Sequence, residues 1–118
     1  MINFLKETLE AIKDCGRNVS DVMFVGSENG KYRMTWEKFE QKADFLYDNG
    51  YGAQEIAYDL IVCFKDGSYL DRYEYDGSES WAYHGPKNFK EDDDYEDFNI
   101  LGGQDYMWET VEDMNEEY

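Results

Sequence analysis

No lysine or arginine follows Lys90, whereas twelve aspartates and glutamates do. A chain end carrying one sign of charge cannot condense on itself, because its carboxylates repel one another and each costs desolvation on burial. Any ordered structure there has to lean on the rest of the molecule or on a partner. The densest stretch is KEDDDYEDF, Lys90 to Phe98, with six carboxylates in the seven positions from Glu91 to Asp97. Residues 1–90 hold 16 acids and all 11 basic residues, so most of the net charge of −17 sits in the last quarter of the chain. Such a balance makes anionic membranes and nucleic acid poor direct partners, and a basic protein surface a good one.

The length of 118 residues suits a single domain over 1–118, read as an α+β body (1–86) with an acidic aromatic extension (87–118) packed on it. Aromatic residues make up 18% of the chain, enough apolar area to build a core and to argue against global disorder. No apolar run approaches the ~18–20 residues that span a bilayer. The opening MINFLKETLE has neither a basic start nor an apolar segment, and Cys15 and Cys63 lack metal-type spacing, so the expectation is a cytoplasmic protein with reduced thiols.

Local patterns predict an N-terminal helix, a β-hairpin, a second helix, a three-strand antiparallel meander and an acidic C-terminal helix. Asn3 can cap the first helix, with Phe4, Leu5, Leu9 and Ile12 on one face and Gly16 as its stop. Asp21–Ser27 reads as a strand. Asn29-Gly30 suits a two-residue type I′ turn with positive φ at both positions, and Lys31–Met34 is the returning strand. Thr35 caps the second helix, where Trp36, Phe39, Ala43 and Leu46 form a stripe that Asn49-Gly50 ends. From Ile56 the period becomes two: Tyr58, Leu60, Val62 and Phe64 alternate with Asp59, Ile61, Cys63 and Lys65. Turns at Asp66-Gly67 and Asp76-Gly77 complete the meander, whose aromatic face is expected to pack on the two helices.

After Gly102-Gly103, a helical reading places Met107, Val111, Met114 and Tyr118 on one stripe and leaves the acids outside. Glu116 and Glu117 then lie at the helix C-terminus, where the dipole disfavours them, with no base nearby to compensate. A helix that gives up stability to keep a single-sign surface suggests a use for the charge. Carboxylates three and four apart on a helix start from Cβ atoms roughly 5–6 Å apart, a scale similar to the phosphate spacing along a DNA strand. The candidate partner-binding set is therefore Glu91, Asp92, Asp93, Asp94, Tyr95, Glu96, Asp97, Asp105, Tyr106, Trp108, Glu109, Glu112, Asp113, Glu116 and Glu117. Trp108, Tyr106 and Tyr95 are its apolar anchors, because binding hot spots favour Trp and Tyr. The plainer alternative is a solvated tail that only aids solubility, which has no need of the interleaved rings.

Other chemistry finds little footing. Tyr69, Tyr73, Tyr75, Trp81 and Tyr83 resemble a base-stacking platform, but the basic groove that accompanies one is missing. His84 is the only histidine. Ser78 and Ser80 lie nearby without a nucleophile-elbow pattern, so no enzyme is expected. His84, Cys63 and Cys15 are the only metal-ligand candidates beyond the carboxylates, and their spacing supports no site; no cofactor is expected. Aligning Asp92, Asp94 and Glu96 with a calcium loop puts Asp97 where glycine is required and Gly103 where glutamate is required.

The segment DNGYGAQEIAYDLIVCFKDGSYLDRYEYDGSESWAY, Asp48 to Tyr83, resembles small uncharacterised proteins carried by phages and prophages. The overall plan, an α+β body with an aromatic-acidic face and a strongly negative end, resembles small acidic phage anti-defence proteins: anti-CRISPR inhibitors and DNA-mimic anti-restriction proteins. That resemblance implies a stoichiometric inhibitor in a bacterial host's cytoplasm. It would bind the basic nucleic-acid-binding surface of a defence nuclease, foremost an RNA-guided one, and block DNA loading. An immunity or antitoxin-like protein neutralising a basic toxin uses the same physics on another target.

Overall fold

The computed structural model describes residues 1–50, 54–76, 78–103 and 105–116. It is an α+β fold in which the hairpin and the meander share one sheet. The elements are β1 (Ile2–Asn3), α1 (Phe4–Asp14), β2 (Val22–Ser27), β3 (Arg33–Met34), α2 (Trp36–Lys42), β4 (Leu46–Tyr47), β5 (Leu60–Phe64), β6 (Tyr69–Tyr75), β7 (Ser78–His84) and α3 (Val111–Asn115). The large sheet runs β3-β2-β5-β6-β7, antiparallel throughout, and β1 pairs with β4 apart from it. Among the described residues, no helix is long and apolar enough to cross a membrane.

Helix α1 starts where expected: the Asn3 side chain accepts from the Lys6 N–H at 3.0 Å. It stops at Gly16, where φ is +77° and the Arg17 N–H reaches back to the Ile12 carbonyl in a Schellman arrangement. Its buried face differs from the expected stripe. Thr8 is inside, with its hydroxyl bonded to the Phe4 carbonyl, and Leu9 is exposed. The hydroxyl satisfies itself within the helix and also accepts from the Trp81 indole, so a polar residue occupies the inner face without penalty.

The second helix is shorter than its sequence stripe. Two orphan N–H groups of α1, those of Phe4 and Leu5, bond to the carbonyls of Phe45 and Ala43. Serving them draws the chain out of the helix after Lys42 and into β4, so Leu46 faces solvent and Tyr47 is buried. The hairpin at Asn29-Gly30 is also corrected. Gly30 has φ +74° but Asn29 does not have a positive φ. The loop is wider, closed by Ser27 N–H to Tyr32 O, with the Asn29 side chain folded onto the Ser27 hydroxyl and the Lys31 N–H.

Strand β5 is buried on both faces. Leu60, Val62 and Phe64 join the main core, while Ile61 and Cys63 join Phe24 in a second cluster flanked by Met23, Tyr69 and Phe89. On β6 the expected facing is reversed: Leu70 and Arg72 point inward, while Tyr73 and Tyr75 face solvent. The reason is a buried ion cluster. Arg72 donates to Glu79 at 2.8 Å, to Glu7 at 3.2 Å and to the Tyr47 hydroxyl at 3.0 Å, and its guanidinium lies over Phe4 and Trp81. Glu79 accepts the Glu55 N–H as well. A charge whose two terminal nitrogens are matched by carboxylates and a phenol can take an inner position that hydrophobicity alone would give to a tyrosine, even though its Nε is left without a hydrogen-bond partner.

The acidic end contributes to the same core. Phe98, Leu101, Val111 and Met114 are buried in one cluster with Phe4, Val25, Phe39 and Val62. The C-terminal helix is only α3, capped by Thr110, whose side chain accepts the Asp113 N–H. Met107 and Trp108 precede it as exposed residues, and Tyr118, Glu117 and Gly77 lie outside the described residues. Glu112 and Asp113 thus fall in the first turn, where the dipole favours them, and only Glu116 among the described acids sits at the unfavourable end.

Replacing Phe98 by alanine should cost about 3–5 kcal/mol, lowering the urea midpoint at unchanged slope in fluorescence-monitored unfolding. Cutting the chain after Lys90 should abolish cooperative unfolding, because it removes four core side chains at once.

Candidate functional site

Stretches far apart in sequence meet around Tyr32. Residue Glu96 runs parallel beside Tyr32, with the Glu96 N–H bonded to Lys31 O at 2.7 Å and the Arg33 N–H to Glu96 O at 2.8 Å. From α3, Glu112 accepts the Tyr32 hydroxyl at 3.3 Å. Partial burial raises the phenol's pKa, and the carboxylates of Glu112, Glu96 and Glu116 add to the rise. On the far side of α3, Asp59 accepts the Val111 N–H at 2.8 Å. Its carboxyl is pushed up by burial, and Glu28 and Asp113 push in the same direction. Glu112 thus belongs to the group around Tyr32, and Asp113, the next residue of α3, to the group around Asp59.

The run from Glu91 to Asp97 is not helical, so it is not the regular helical array that its spacing suggested. It forms a turn and an extended piece, and its acids divide into two sets. Asp93 and Asp97 each pair with a cation of the body while keeping their side chains open to solvent. The buried Arg33 guanidinium donates to the Gly30 and Lys90 carbonyls and to Asp93 at 3.1 Å, while Lys38 pairs with Asp97. Glu91, Asp92, Asp94 and Glu96 have exposed side chains. Tyr95 is exposed at the surface yet lies over Arg33, with 5.3 Å from guanidinium carbon to ring centre, and Phe24 and Phe89 flank the same cation. A cleft of about 430 Å³ opens beside it, between Met23, Met34, Lys38, Glu91 and Tyr95.

Nearer the C-terminus, Tyr106 is half-buried against the core, Glu109 is half-buried, and Asp105 is exposed. Trp108 is 50% exposed with φ +55°, a left-handed backbone that a bulky side chain rarely adopts. Such a conformation costs about 1–3 kcal/mol and persists only where the surroundings over-determine it. Here they do. The segment from Gln54 to Tyr58 is gripped on both sides: Trp108 N–H to Gln54 O at 2.9 Å and Tyr58 N–H to Glu109 O at 3.1 Å on one, Ala57 N–H to Leu101 O at 2.9 Å on the other. Gly102 permits the grip, since a Cβ there would lie 2.4 Å from the Glu55 carbonyl oxygen.

The metal candidates do not meet. His84 pairs with Asp71 at 2.9 Å and stacks on Tyr69, the Cys15 thiol donates to the Ile12 carbonyl, and Cys63 is buried in the second cluster. Burial pushes the Cys63 thiol up to about 11 and raises that of Cys15 too, which disfavours the thiolate a metal needs. Among the described residues, no three His, Cys, Asp or Glu side chains gather to hold an ion. The chain matches no protein-family model, no curated protein and no solved structure.

Sequence reasoning named the acids and Trp108 as candidates but did not include Tyr32, Glu28 and Asp59, which no local signal connects to the acidic end. It also missed Arg33, whose only hint was a basic residue between the apolar Tyr32 and Met34.

The backbone N–H of Lys90 and then Arg33 hold the Asp93 carboxyl below its usual value. Ionised Asp93 therefore contributes stability above the ordinary carboxylate pKa of about 4, and this is lost as pH falls through the lower folded value. Asp93→Asn should be less stable than the wild type at pH 7, with the gap closing below about pH 4, as read from urea midpoints across pH.

Proposed function

We propose that this protein is a stoichiometric inhibitor that docks its negative face on the basic nucleic-acid-binding surface of a bacterial defence nuclease, foremost an RNA-guided one, and blocks DNA loading. The observation that carries the reading is the convergence of Glu96, Glu112 and Glu116 around Tyr32 on backbone fixed to the core. A tail that served only solubility would need neither the Tyr32 contacts nor the burial of Phe98, Leu101, Val111 and Met114 beneath it. Carboxylates held in place by a folded body meet a lysine- and arginine-lined channel without first losing chain entropy, and that preorganisation favours affinity. Their field steers encounter and gives the association its salt dependence.

The acids free to act in this way are the exposed ones that make no ion pair among the described residues. Changing Glu91, Asp94, Glu96 and Glu116 together to lysine should leave the circular dichroism spectrum intact. Association with a sensitive nuclease should slow by about 10–100-fold at low salt. The assay is DNA loading by a panel of RNA-guided nucleases, followed by anisotropy of labelled DNA at low and high salt. Inhibition that is equal in the variant and the wild type, or indifferent to salt, contradicts the reading.

A further inference from the structure

Among the described residues, two non-glycine positions have positive φ, Asp76 and Trp108. Aspartate tolerates that region in a turn; tryptophan does not. The turn carrying Trp108 is clamped by backbone hydrogen bonds to Gln54 and Tyr58, so the conformation is imposed on the residue, and a glycine there would meet it without strain. Folding therefore does not explain an indole at this position. The ring is half exposed, Met107 beside it is 63% exposed, and Tyr58, joined through Glu109, is exposed too. Two of the other exposed rings already have a partner: Tyr95 lies over Arg33, and Tyr83 lies over Arg17 and accepts its hydrogen bond.

We infer that Trp108 is the contact residue of the negative face and that it receives an arginine side chain of the basic partner, stacked on the indole with Asp105 and Glu109 beside it. This rests on the reading above and adds the identity of the recognised group. The chemistry selects arginine over lysine for two reasons. A planar guanidinium stacks flat on an indole while its edge still donates to carboxylates, whereas an ammonium is a compact and strongly hydrated point charge. Carboxylates on both sides of Trp108 in the chain, and no lysine or arginine after Lys90, supply the charge complementarity.

The test uses fluorescein-labelled deca-arginine and deca-lysine with the full chain, read by anisotropy at low and at physiological salt. The wild type should bind deca-arginine about fivefold more tightly than deca-lysine at physiological salt. Trp108→Gly should bind the two alike, and Trp108→Phe, which keeps a weaker ring, should fall between. Trp108→Gly should also melt above Trp108→Ala by roughly 3–6 °C, the reverse of an ordinary position, because both lack the indole and only alanine keeps the strain. An arginine preference that survives in Trp108→Gly, or none in the wild type, overturns the inference and leaves the charged-face reading standing. Failure of both peptides to bind at low salt overturns that reading, and this inference with it.

Discussion

In a molecule with 28 acids and 11 bases, a fully buried arginine holds the sheet to its first helix. Arg72 joins β6 to β7 through Glu79, to α1 through Glu7 and to β4 through Tyr47, and Glu79 extends the cluster to the backbone of Glu55. Burying a guanidinium is costly unless its charge is matched and its donors are used, and removing one partner leaves the others exposed to the full desolvation penalty. The cluster therefore chooses which face of β6 points inward. With Arg72 and Leu70 committed to the core, Tyr73 and Tyr75 are left outside. The small β1-β4 pair, set up where the chain leaves α2 to serve the Phe4 and Leu5 N–H groups, brings Tyr47 into the same cluster.

Arg33 repeats the device at the opposite side of the sheet, with a different result. There the guanidinium is enclosed by Phe24, Phe89 and Tyr95, and its ligands are two carbonyls and one carboxylate of the acidic run. One side chain thus neutralises an acid, orders the start of the extension and positions its first ring. The acidity of the run is divided by this packing. Asp93 and Asp97 are held by Arg33 and Lys38, and the neighbouring acids face outward. The negative face is what remains once the fold has taken the charges it needs.

The grip on residues 54–58 extends this economy to the backbone. Gly102 makes its close approach because it has no Cβ, and Trp108 accepts strain because hydrogen bonds on both sides hold it. Strain kept at an exposed aromatic over a well-packed core is local conformational energy traded against the stability of the rest. The buried Phe98, Leu101, Val111 and Met114 make that trade possible, since a loose extension would relax instead.

Much of this was legible residue by residue. The Asn3 and Thr35 caps, the stop at Gly16, the existence of the strands between Leu60 and Tyr75 and the net negative end each depend on chemistry within a few positions, so a local pattern carries them. The inward Arg72, the truncated α2, the short α3 and the meeting of Tyr32 with Glu96 and Glu112 were not legible. Each turns on partners tens of residues away: Glu7 for Arg72, Phe4 and Leu5 for the end of α2, Tyr32 for Glu112. Local sequence states what a residue prefers when nothing else is near. Long-range packing decides which preferences are overruled, because a buried charge or an orphan N–H that finds its partner outweighs a periodic stripe.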